Sequence, residues 1–310
     1  MAAERLADHA EYRITLHRAR RAEHDDRGPL VITFGGQPSG LGDAGFGTGW
    51  ALQHGWDTIH VAQRHASQYQ GLDHEDFAAA VLPASSGRDL VCYGSRLGGY
   101  AALYYAGAVG ARVLAASPMF PAWPPLGRTH DAIPVRHRPL ADLPATPHSP
   151  IVLYDPMVPA DAAMVEHMVR PVYPAGRYAT LPFAGHTTLQ ALSRTGMLKP
   201  FVRAAIIEDR LLPLDFDRSA DPIFHFQKGR HLAASDPAAA RRHFEASLAL
   251  EPSRHVAANL LGTLLRLDDR AAAQALLERY HDHPEHPLPE SALRRAALSG
   301  LTIPPQDGAP

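Results

Sequence analysis

Residues 91–103 read VCYGSRLGGYAAL, and this stretch decides the architecture of most of the chain. An apolar run, DLVCY (89–93), leads into a glycine-rich turn, GSRLGG (94–99), and an alanine- and tyrosine-rich segment of helical length follows at once. That succession reads as strand, tight turn and helix. Gly94 and Gly98 stand two residues before and two after Arg96. A turn whose flanks must pack closely therefore has Arg96 at its apex, because an apex at Ser95 would put the side chains of Tyr93 and Leu97 at those flanks.

Outward from the turn the same rhythm repeats. YRITL (12–16), LVITF (30–34), TIHVA (58–62), ARVLAA (111–116), PIVLY (150–154) and RYATLPF (177–183) are short apolar runs bounded by turn residues. They are rich in Val, Ile and Leu with little polar alternation, as strands covered on both faces are. Residues 74–82, 98–108, 161–169 and 187–207 have helical length and apolar spacing between them. Strands alternating with helices predict an α/β fold with a mostly parallel sheet.

Two segments break the rhythm. Residues 118–150 carry prolines at a density that excludes a long helix or a central strand, and they read as an excursion that either lids a site at the carboxyl ends of the strands or is a plain surface loop. From about Ser219 the composition turns to Ala, Leu and Arg. There FHFQKGRHLAASDPAAARRHFEASLALEP (224–252) resembles one tetratricopeptide repeat, with Phe224, Ala240, Phe244, Leu248 and Pro252 near its apolar and terminating positions. A poorer second copy runs from Ala258 through Gly262 and Leu276 to Pro284. The expected organisation is a first domain over 1–210 that includes the excursion, a helical region over 219–300, and a disordered tail over 301–310.

Bulk properties bound the function. A formal net charge of -2 in 310 residues gives no broad pull toward nucleic acid or an anionic membrane surface. The charged N-terminus lacks the apolar core of a signal peptide, and no stretch reaches the ~18 apolar residues of a membrane span, so we expect a cytoplasmic chain without a span. The single cysteine, Cys92, lies in an apolar run and reads as a buried structural thiol. No Walker-type phosphate loop and no HExxH pair is present, so neither a cofactor nor a metal is expected. The run GGQPSGLGDAGFGTG (35–49) lacks the dinucleotide fingerprint, and HDHPEH (281–286) reads as a solvated loop between helices rather than a metal site.

The strand, turn and helix around Arg96 resemble the nucleophile elbow of the α/β-hydrolase family, and the likeness spans residues 12–207. The resemblance implies a catalytic acid after a later strand, where YDPMVPADAAMV places Asp155 at the strand end, with Asp161 reading as a helix N-cap. It implies a histidine opening a helix, which LPFAGHTTL supplies as His186. It implies oxyanion donors from Gly36 or Gln37 after the strand at 30–34, and from the amide of Leu97. VAQRHASQYQGLD (61–73), SRLGGYAALYYAG and the YDP of residues 154–156 also resemble a bacterial branch of the fold related to glycan-acetylating proteins of accessory secretion systems and associated with surface-polysaccharide genes, which implies a role on glycan or acyl groups.

The departure is the apex. A guanidinium with a pKa above about 12 stays charged and cannot attack an ester. Two readings follow. In one the chain is non-hydrolytic, with Arg96 holding a small anionic, glycan or acyl-ester ligand and the C-terminal helices meeting a protein or peptide partner. In the other it is an esterase, deacetylase or acyltransferase working through Ser95, or through water activated by His186 and Asp155.

Overall fold

The computed structural model describes residues 3–20, 28–37, 39–126 and 133–304. Its contacts divide the chain into two compact units, one of residues 1–182 and 186–215, the other of 183–185 and 216–310.

The first unit is built on eight strands: β1 Ala3–Asp8, β2 Tyr12–His17, β3 Leu30–Phe34, β4 Thr58–Gln63, β5 Leu90–Ser95, β6 Arg112–Ala116, β7 Ile151–Tyr154 and β8 Arg177–Thr180. They lie in the order β1-β2-β4-β3-β5-β6-β7-β8. Every neighbouring pair from β4 to β8 is parallel, and β2 pairs antiparallel with both β1 and β4. This is the sheet of the α/β-hydrolase fold. The residues of β3, β4, β6 and β7 are all buried, so these strands are rich in Val, Ile, Leu and Ala, and their buried polar side chains, such as Thr33 and Thr58, hydrogen-bond inward.

The helices of this unit are α1 Thr48–Gln53, α2 His74–Val81, α3 Leu97–Val109, α4 Pro159–Met164, α5 Thr188–Arg194 and α6 Leu198–Ile207. Three differences from the sequence expectation have physical causes. β1 is an exposed edge strand, bulged between Arg5 and Ala7, whose charged residues hide any strand pattern and discourage a further partner. The single helix expected over 187–207 breaks at Gly196, whose φ of 73° lies in the left-handed region. The helix expected to reach residue 169 is α only to Met164 and continues as one π turn over Val165–Val169.

The Pro-rich excursion forms two 3₁₀ turns, Pro124–Leu126 and Leu140–Asp142, and residues 127–132 lie outside the described residues. It is no plain surface loop. Phe120, Ala122, Leu140 and Leu143 are buried in the same core as α3. Gly107 of α3 admits the excursion's backbone so closely that a Cβ there would sit 1.7 Å from the carbonyl oxygen of Pro144.

The second unit contains α7 Pro222–Leu232, α8 Pro237–Leu250, α9 Arg254–Arg266, α10 Arg270–Tyr280 and α11 Glu290–Leu298. Asp221, Asp236 and Asp269 cap the starts of α7, α8 and α10 through their side chains, and prolines follow the first two caps. Successive helices pack as hairpins, and α11 packs on α9. Their core holds Ala240, Phe244, Leu248, Leu261, Leu277 and Tyr280. Residues 301–304 correct the expectation of a disordered tail from 301, because Leu301 and Ile303 pack against this core and save apolar area from water. The rest of the tail, 305–310, lies outside the described residues. Among the described residues no helix is long and apolar enough to cross a membrane.

Candidate functional site

The elbow turn is strained where the sequence places its apex. Arg96 has φ 57° and ψ -122°, a conformation that side-chain-bearing residues rarely adopt and that persists only where surrounding bonds impose it. Here those bonds are to main-chain atoms. Arg96 N–H donates to the carbonyl of Ala116 at 2.8 Å, and the Arg96 carbonyl accepts from the amides of Tyr100 and Met119, each at 3.0 Å. The flanking glycines are obligatory on geometry: a Cβ on Gly94 would lie 2.0 Å from the carbonyl oxygen of Gly98, and one on Gly98 would lie 2.4 Å from that of Phe34. Ser95, by contrast, is the last residue of β5, paired in register with Ala116, and is half-buried. Arg96 is exposed, and Leu97 begins α3.

His186 lies just before α5, and its Nδ1 is 2.5 Å from Oδ1 of Asp161. The structure thus brings Asp161 to His186, and it corrects the reading of Asp161 as an N-cap, since Val158 caps α4. Asp155, at the end of β7, spends Oδ1 on the amide of Met157 at 2.8 Å and its carbonyl on that of Val158, and so shapes the turn into α4. Val158 is the cap of α4, and the helix's first turn carries Asp161 to the histidine. Asp161 is fully buried, and among the described residues its Oδ2 has no hydrogen-bond partner. Burial pushes its pKa up, against the bond to His186; the Asp155 charge adds to the rise, and the Arg96 charge opposes it.

The loop after β3 brings Gly36 and Gln37 to the same end of the sheet, both half-buried. Sequence reasoning missed what holds this loop. Tyr69 Oη donates to the carbonyl of Gly35 at 2.9 Å. Tyr69 sits in the stretch VAQRHASQYQGLD, where Ala66, Gln68 and Tyr69 all have positive φ. Gln63 Oε1 accepts from the Tyr69 amide, Gln68 Oε1 from the amide of Ala122, and Gln70 Oε1 from those of Arg136 and His137. The glutamines of this stretch therefore satisfy backbone donors, three of them in the Pro-rich excursion.

Ser117 was missed as well. It follows β6 at φ 44°, and its Oγ lies 2.8 Å from Thr188 Oγ1. Both residues are buried, so this bond ties the end of β6 to the start of the helix behind His186. No sequence signal marks a serine of this kind.

Parts of the glycine run 35–49 are used for packing. Gly45 lies against the ring of His60, where a Cβ would come within 2.5 Å of the imidazole, and Asp43 is held by Arg5, Thr15 and the His17 ring. Among the described residues no group of three or more His, Cys, Asp or Glu could hold a metal ion. In the segment 281–286, His283 Nδ1 instead accepts the amides of Glu285 and His286. Cys92 is buried, which pushes its thiol pKa far up.

No family model and no curated protein matches this chain. Solved structures do resemble it. They include the acylaminoacyl peptidase of Pyrococcus horikoshii, 14% identical over 70% of this chain and 42% of that one, with a TM-score of 0.47. A glycosylation-associated protein (Gap123) complex from Streptococcus agalactiae is 13% identical over 66% of this chain and 46% of that one, at 0.46. An esterase from the planctomycete Thermogutta terrifontis is 13% identical over 68% of this chain and 96% of its own length, at 0.45. The chain thus spans less than half of the first two and nearly all of the third. The strand order and flanking helices of the first unit are by themselves those of an α/β-hydrolase fold, and Arg96 stands at the turn between β5 and α3.

Proposed function

We propose that this protein is a non-hydrolytic member of the α/β-hydrolase fold that binds a small anionic group at Arg96. One observation carries the reading: the residue at φ 57° in the elbow turn is an arginine, exposed and permanently charged. A guanidinium at this position can hold a carboxylate, sulfate or phosphate bidentately, with the Leu97 amide at the start of α3 as a further donor. Glycan or acyl groups bearing such an anion are the ligand class, and the hairpins of the second unit, read as tetratricopeptide-like repeats, supply a surface for a protein or peptide partner.

The test is calorimetric titration with sulfate and phosphate, beside intact-mass detection of labelling by a fluorophosphonate probe. The wild-type chain should bind the anion and stay unlabelled, and Arg96→Gln should weaken binding at least about tenfold, the loss of one charge-assisted contact. Labelling of the wild type that disappears in Ser95→Ala would overturn the reading in favour of a displaced serine.

A second reading is favoured by the bond between Asp161 and His186. A histidine held by a buried carboxylate is poised to take a proton from water, so a slow esterase or deacetylase activity without a covalent intermediate is its prediction. Turnover of an acyl ester that is lost in His186→Ala, with no labelling, would establish it.

A further inference from the structure

Helix α3 buries three tyrosines, Tyr100, Tyr104 and Tyr105, and the fully buried Tyr69 faces them from the loop before α2. Into this box reaches His137, from the described part of the excursion that follows residue 132. Its ring is parallel to that of Tyr104, with centroids 4.0 Å apart and planes 11° from one another. Nε2 is 2.8 Å from the carbonyl oxygen of Tyr69, and a carbonyl only accepts, so Nε2 carries the proton. Nδ1 is then a lone pair, and the Tyr100 hydroxyl donates to it at 2.7 Å. Both ring nitrogens are occupied in the neutral form, with the tautomer fixed by its partners.

These partners lead to the elbow. The amide of Tyr100 donates to the Arg96 carbonyl, and its ring stacks on Phe120 at 4.5 Å and 7°. Met119, next to Phe120, donates to the same carbonyl. Tyr69 holds Gly35 through its hydroxyl while it accepts from His137 through its carbonyl. One imidazole therefore touches the helix that begins at the apex and the residue that secures the glycine loop.

We infer that His137 is a positioning residue, a neutral latch that docks residues 133–138 onto α3 and the loop at Tyr69, and that its protonation releases this strap and loosens the Arg96 site. The inference rests on the reading of Arg96 as a ligand site, although the latch itself does not.

The physical cause is the surroundings. The ionisable and charged groups facing the ring are Tyr69, the α3 tyrosines, His74 at the start of α2 with Asp73 and Glu75 beside it, and Arg136 and Arg138 of the strap itself. None of the acids bonds the imidazole among the described residues. His74 Nε2 is committed to the Tyr104 carbonyl at 2.6 Å, and Arg138 lies 3.6 Å from Glu75. Burial pushes the His137 pKa down to about 4. Released into water, the ring returns to about 6.5. The docked state is favoured in full above pH 6.5 and loses ground as pH falls from there toward 4, by about 300-fold at completion.

The experiment is amide exchange on the full chain from pH 7.5 to 4.5, corrected for intrinsic chemistry, in wild type and His137→Phe. Phenylalanine keeps the stacking area on Tyr104 and removes both hydrogen bonds and the titration. In the wild type the opening of residues 133–140 should rise about 60-fold between pH 7 and 4.5. Peptides spanning 94–100 and 118–122 should open with it. In the variant the strap should already be open at pH 7.5, with a flat profile. Strap opening that is independent of pH in the wild type overturns the latch, as does a variant profile equal to the wild type's. Strap opening that leaves the elbow peptides unchanged overturns the coupling. If the variant does not fold, the wild-type profile alone decides. A failure of sulfate to bind at every pH would count against the Arg96 reading and leave the exchange result standing.

Discussion

Arg96→Ser should turn an unlabelled protein into one that a fluorophosphonate labels at residue 96, read by intact mass and by the modified peptide. The expectation follows from what the turn already holds. The apex backbone is fixed by Ala116, Tyr100 and Met119 through main-chain bonds that survive a change of side chain. His186 is seated on Asp161 at 2.5 Å, so, provided the imidazole reaches the apex, a hydroxyl placed there gains a base whose tautomer is set by a buried carboxylate. Asp161→Asn in that background should slow labelling by about 10⁴-fold, because an amide nitrogen facing Nδ1 favours the wrong tautomer. Asp155→Asn should cost far less, since its Oδ1 is bonded to the Met157 amide. A folded Arg96→Ser protein that stays unlabelled would show that the histidine and the apex do not converge, and the likeness of the turn to a nucleophile elbow would extend no further than its backbone.

The second large effect is on stability. Gly94→Ala should lower unfolding free energy by about 3 kcal/mol, since its Cβ would meet the backbone of Gly98 at 2.0 Å, and neither strand nor helix can yield without opening the core. The control is Gly49→Ala, inside α1 with nothing within 4 Å of the added Cβ and no positive φ. It should be neutral or stabilise by about 0.5 kcal/mol through a less free unfolded chain. Urea midpoints at unchanged slope check both. Equal stability of Gly94→Ala and wild type would mean that β5 and α3 cross farther apart than they do here.

Much of the fold was legible in the sequence because it rests on short-range signals. The Val-, Ile- and Leu-rich runs became the central strands, and the glycines at 94 and 98 marked the turn at Arg96. β1 was not legible, since an exposed edge strand needs no apolar pattern. Choosing between Asp155 and Asp161 was beyond sequence reasoning, because two aspartates six residues apart flank one turn, and only the direction of α4 decides which reaches His186. Tyr69, Gln70, Ser117 and His137 act through the box around α3 and the loops at the strand ends, where residues far apart in sequence meet. No local spacing encodes such a meeting.

The apex turn of β5 and α3 has one more consequence. Its shape is imposed by carbonyls and amides together with two glycines, and none of these contacts uses the apex side chain. The turn is therefore a socket that accepts different chemistries without refolding. Several arginine codons differ from a serine codon by a single base, so on this scaffold an arginine apex and a serine apex are neighbours in genetic space. A lineage could therefore exchange arginine and serine at this apex, in either direction, without passing through an unfolded intermediate.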